Sequence, residues 1–161
     1  MPIGVALYLS GSGRVRVLAE WDRMRANGFA SPGRVASQRT RVSPINGRGS
    51  FDTAERLARA LAPGFASWPG MDCDFGLASL FSGERRVAHF PLTPCESLRS
   101  LHRVVCESAA ECGVFIFRSY SQEKWVPHRS LADNVPPEKG ELFVYANRRR
   151  LPLRRYRPPH R

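Results

Sequence analysis

Lysine is almost missing from this chain: of 25 basic residues only Lys124 and Lys139 are lysines, and the rest are arginines. No run of 18 apolar residues occurs, which argues against a helix crossing a membrane. The apolar N-terminal stretch Met1–Leu9 has no basic residue ahead of it and no cleavage site after it, so it reads as a first strand and the cytoplasm is the expected location. Cysteine is sparse and contains no CxxC pair. Cys73, Cys95, Cys106 and Cys112 are spaced by 22, 11 and 6 residues, which fits no common zinc pattern and leaves buried, reduced thiols as the expectation. A glycine-rich phosphate loop is also absent: Gly11-Ser12-Gly13 lacks both the third glycine and a following lysine.

What is present suits one globular domain. The length of 161 residues can bury a sizeable core, and 42% hydrophobic content is ordinary for a folded protein. The formal charge of +11 invites a polyanionic partner, but seven arginines crowd the last 14 residues and removing them leaves +4. Residues 1–147 are expected to form the domain, with its C-terminal lobe incomplete. Residues 148–161 are expected to be a disordered Arg/Pro-rich tail, a solvated appendage that binds polyanions non-specifically.

Local patterns give an order of elements. Residues 4–9 read as a strand, and a helix follows from about Arg14 to Asn27, with Gly28 placed to end it. Arg41–Ile45 suggests extended chain. A second helix starts with Asp52 as N-cap and Glu55 three residues on, and Pro63 is expected to stop it. Phe75–Phe81 and Val87–Leu92 read as a hairpin around Ser82-Gly83-Glu84. Thr93-Pro94-Cys95-Glu96 reads as the capping box of a third helix, which carries Leu98, Leu101, Val104, Val105, Ala109 and Cys112 to Gly113. Val114–Phe117 and Trp125–Ala132 read as further strands, and Leu142–Tyr145 as another. Hairpins without regular crossovers point to an α+β fold with antiparallel sheets.

Four histidines could do acid–base work. His160 lies in the tail. His102 falls in the third helix and reads as structural, as does His89, which has no second polar group spaced to work with it. His128 differs, because Ser130 is two residues on. In a strand both side chains then project from one face, putting a proton carrier beside a hydroxyl that can hold an anionic oxygen.

The segment Trp125-Val126-Pro127-His128-Arg129-Ser130-Leu131-Ala132 resembles the second H-x-T/S motif of the 2′-5′ RNA ligase family, which belongs to the two-histidine phosphoesterases. The order of segments over about residues 4–135 is similar too. The resemblance implies a two-lobed fold whose antiparallel sheets, flanked by helices, surround a central cleft. It also implies a substrate that is RNA or a nucleotide with a 2′-5′ or 2′,3′-cyclic phosphate, with no metal or organic cofactor, no membrane and no obligate protein partner.

The first H-x-T/S motif is expected just before the Phe51 helix, where Gln38-Arg39-Thr40-Arg41-Val42-Ser43-Pro44-Ile45 is the best match. Arg41 then stands where the family has histidine, and Ser43 keeps the hydroxyl. An arginine holds phosphate well but cannot trade a proton near pH 7. Losing one acid–base group typically costs roughly 10²- to 10⁴-fold in rate. His128 and Ser130 are thus the expected catalytic pair, with Arg41, Ser43 and Ser130 binding phosphate and activity impaired. The alternatives are a non-catalytic phosphate- or RNA-binding module of the same fold, and a decayed protein without present function.

Overall fold

A computed structural model describes residues 1–30, 41–83 and 86–140. Along them run β1 (Pro2–Tyr8), α1 (Gly11–Ala26), β2 (Arg41–Arg48), α2 (Phe51–Ala66), β3 (Ser79–Phe81), β4 (Val87–Pro91), α3 (Glu96–Glu111), β5 (Phe115–Ile116), a 3-10 turn (Arg118–Tyr120) and β6 (His128–Ala132). The expected α+β class and the expected order of elements hold. The Leu142–Tyr145 strand, the tail from residue 148, His160 and Gln38–Thr40 lie outside the described residues.

The chain divides into two compact units. The first combines Met1–Leu7, Ser43–Cys73 and Pro94–Pro127. Its three-stranded sheet has the order β1-β2-β5, with β5 antiparallel to β2. Ile3, Ile45 and Val114 meet the apolar stripes of α2 (Leu57, Leu61) and α3 (Leu101, Val105, Ala109) in one buried cluster. Each such side chain, fully buried, contributes roughly 1.5–3 kcal/mol. Gly47 sits inside this sheet because nothing larger fits: a Cβ there would lie 2.4 Å from the carbonyl oxygen of Phe115.

The second unit combines Tyr8–Val42, Asp74–Thr93 and the chain from His128. Its sheet has the order β3-β4-β6, antiparallel throughout. Helix α1 buries Val17, Trp21 and Met24. The core of this unit also takes in Phe75, Phe90 and Leu131.

Two helices end as their glycines dictate. Gly28 has φ +72° and Gly113 φ +79°. After α1, the Gly28 N–H donates to the Arg25 carbonyl and the Phe29 N–H to that of Met24. After α3, the Gly113 N–H donates to Ala110 and the Val114 N–H to Ala109. These paired bonds satisfy carbonyls the helix leaves open, and only glycine takes the left-handed turn at no steric cost.

Three expected boundaries move. The N-cap of α2 is Ser50, not Asp52; its hydroxyl accepts from the Thr53 N–H at 3.0 Å. Pro63 does not stop the helix, which continues to Ala66, where Phe65 stacks on Trp68 at 5.8 Å against the core. The capping box at Thr93 does not form. The Thr93 N–H donates to the Asp74 carbonyl and Leu92 bridges Phe75, so the chain stays extended and α3 begins at Glu96 with Cys95 as its cap. No disulfide joins the four cysteines, and of them only Cys106 is buried, against the expectation of buried thiols.

Candidate functional site

The site is built on one face of the β3-β4-β6 sheet. Side chains of directly opposed residues in an antiparallel pair point to the same side. Ser79 pairs with His89 and Phe81 with Val87 across β3 and β4. His89 pairs with Ser130 and Pro91 with His128 across β4 and β6. One face therefore carries Phe81, His89, His128 and Ser130, while Phe90 and Arg129 point to the other. Between Ala88 and His89 the register slips by one, since Ala88 opposes Ala132 and His89 opposes Ser130. Such a bulge re-aims the side chains beside it.

The rings on that face are in contact. Phe81 stacks on His89 with centroids 3.7 Å apart and planes 10° from parallel. His128 stands edge-on to both, 4.8 Å from Phe81 and 5.5 Å from His89. His128 and Ser130 are half-buried, as a site reached from solvent requires.

His89 is 3% exposed, and its Nδ1 lies 3.2 Å from the Val87 carbonyl. Because a carbonyl only accepts, Nδ1 is the donor and Nε2 keeps its lone pair. Burial is the main force pushing the pKa down to about 4; the bond to Val87 opposes it, and a positive charge on His128 lowers it further. His89 therefore stays neutral at pH 7. The sequence reading of His89 as structural agrees with its burial, but the reason given does not hold. A second polar group does stand beside it, and it comes from another strand.

The opposite face anchors β6 to α1. The Trp21 indole, fully buried, donates to the Ser130 carbonyl at 3.1 Å, and the Arg129 guanidinium lies 4.5 Å over the Trp21 ring. Burial lowers the Arg129 pKa to about 10; the positive charge of Arg41 adds to this and Asp133 opposes it. Arg129 Nε is buried without a hydrogen-bond partner among the described residues. So Arg41, from the start of β2, acts on Arg129, the residue between His128 and Ser130.

Ser43 belongs to the first unit. Its side chain is half-buried, and its carbonyl accepts from the Trp125 indole at 3.1 Å. Trp125 in turn stacks on His102 at 4.0 Å. His102 is 4% exposed, and its Nε2 bonds the Tyr120 carbonyl at 3.1 Å. Burial lowers its pKa, against the hydrogen bonds to Tyr120 and Pro44. It is a satisfied core histidine, as its place in α3 predicts. No group of three or more potential metal ligands occurs among the described residues.

Sequence reasoning brought out His128 and Ser130 and missed Phe81 and His89 as their neighbours. The alternation Val87, His89, Pro91 puts His89 on one face of its strand. Which residue of β6 it meets depends on a cross-strand register that the bulge shifts, and no spacing in the sequence encodes that.

No protein-family model and no curated protein matches the chain. Among solved structures, it is similar to the PDE domain of MHV ns2, with a TM-score of 0.51 and 15% identity. The match covers 83% of this chain and 80% of that one. The likeness is one of fold. At that identity it shows the architecture alone.

Proposed function

We propose that the chain acts on, or binds, phosphodiesters of RNA or nucleotides, 2′-5′ or 2′,3′-cyclic, in the manner of a two-histidine phosphoesterase. His128 is the proton carrier. Ser130 holds the phosphate, and Arg41 supplies fixed positive charge. The observation that carries this reading is the shared face of His128 and Ser130, in a fold similar to that of a PDE domain. The His128 ring stands edge-on to Phe81 and His89, on the same sheet face as the Ser130 hydroxyl. The chemistry needs only proton transfer and charge stabilisation, and His128, Ser130 and Arg41 provide both.

A second reading keeps the phosphate and drops the turnover. It is favoured by Arg41, which replaces a histidine in the resembled motif and cannot serve as a base. The two readings part in one experiment: purified protein is mixed with a 2′,3′-cyclic nucleotide beside a His128→Ala variant. Turnover in the wild type that falls roughly 10²-fold or more in the variant supports the enzyme. Equal background in both, with the nucleotide still bound, supports the binding module. Neither turnover nor binding removes both readings.

A further inference from the structure

The sheet of the first unit has a second face, and its side chains form a pattern the proposed chemistry does not use. Gly47 pairs with Ile116, and Ile116 packs on the apolar cluster. The next pair, Arg48 with Phe115, must therefore project from the other side. Phe117 follows two residues after Phe115, and its N–H bonds the carbonyl of Asn46. Phe115 is 69% exposed, unusually open for a phenylalanine inside a sheet. Its ring lies 6.4 Å from that of Phe117 at 73°. The Arg48 guanidinium is held over Phe117, 5.7 Å from its centre, and makes no ion pair among the described residues. Exposed Arg118 follows directly.

A purely apolar partner would leave Arg48 desolvated and unpaired. A purely anionic one would gain nothing from an open phenyl ring. A single strand of nucleic acid satisfies both at once, because every base offers a face to stack and every linkage a charge to neutralise.

We propose that Phe115, Phe117 and Arg48 form a stacking platform for single-stranded nucleic acid. The bases stack on Phe115 and Phe117 while Arg48 meets the phosphates. The platform is carried by residues other than His128 and Ser130 and stands whether or not those catalyse anything.

The test must see past charge alone, since an arginine-rich chain binds any polyanion. The full chain is titrated with a short labelled oligouridylate, the matching oligodeoxythymidylate, and an abasic strand of the same length and charge. The wild type should bind either base-bearing strand more tightly than the abasic one. Phe115→Ala should weaken that binding roughly 5- to 100-fold while leaving the abasic strand unchanged, and Phe115→Trp should restore it. Arg48→Gln should flatten the dependence of log affinity on log salt by about one, between about 50 and 200 mM salt, for all three strands. Because Phe115 is exposed, its variants should melt like the wild type, and a melting curve checks this. Equal affinity for base-bearing and abasic strands overturns the proposal, as does an unchanged affinity in a folded Phe115→Ala. Binding of only the ribose or only the deoxyribose strand supports it and identifies the source.

Discussion

His89 stands opposite Ser130 in the β4–β6 ladder, and its ring lies 5.5 Å from that of His128 at 74°. Two imidazoles and a hydroxyl thus share one sheet face through strands 39 residues apart in the chain, reckoned from His89 to His128. The pair is asymmetric. His89 is sealed under Phe81 and kept neutral, while half-buried His128 is the one a solvent-borne phosphate can reach.

That asymmetry makes stability depend on pH. In the unfolded chain His89 takes up a proton near pH 6.5, and in the folded chain only near 4. Between these values the unfolded state binds more protons, so stability is fully present above about pH 6.5 and is lost as pH falls toward 4. The shift corresponds to at most about 3 kcal/mol. His102 shifts in the same direction. Urea unfolding at pH 7.5 and pH 5 should show the loss. His89→Asn keeps a donor for the Val87 carbonyl and cannot titrate, so it should shrink the difference between the two pH values. An unchanged difference would sink this account.

The Trp21 indole supports the strand that bears His128 and Ser130. Trp21→Ala should cost about 3–5 kcal/mol, by removing a fully buried ring. Trp21→Phe should keep much of the packing and leave the Ser130 carbonyl without its donor, costing about 1–3 kcal/mol. The midpoint of urea unfolding measures both. A Trp21→Phe variant as stable as the wild type would show that the hydrogen bond contributes nothing.

Much of the architecture was legible in the sequence. Period-two and period-3.6 patterns gave the order of strands and helices, and Gly28 and Gly113 marked helix ends with a backbone only glycine adopts freely. Where the reading failed, a long-range contact had decided a local choice. Thr93 had the chemistry of an N-cap, but its N–H was taken by Asp74, far back in the chain. Pro63 had the chemistry of a stop, but Phe65 and Trp68 gained enough by packing to carry the helix past it. His89 could be placed on a face but not beside His128, because the sheet register that joins them includes a one-residue slip.

Three glycines should answer alanine differently. Gly64, inside α2 with nothing within 4 Å of an added Cβ, should be stabilised by about 0.5–1 kcal/mol. Gly113→Ala should cost about 1 kcal/mol because its φ is +79°. Gly47→Ala should cost the most, since the added Cβ meets backbone at 2.4 Å and backbone cannot step aside. Thermal melts rank the three, and Gly47→Ala melting at or above the wild type would contradict the sheet geometry.

The positive charge of Arg41 disfavours the charged form of Arg129, whose Nε is buried and without a hydrogen-bond partner among the described residues. An anion between the two guanidiniums would relieve the repulsion and supply acceptors. Inorganic phosphate should therefore raise the melting temperature of the wild type at constant ionic strength, by an amount that grows with phosphate concentration as binding to the folded state alone requires. Arg41→Gln should abolish that response. Without phosphate and at low salt, the same variant should melt slightly above the wild type, and added chloride should close the gap by screening the pair. An equal phosphate response in wild type and variant would mean that the anion binds elsewhere than between these two arginines.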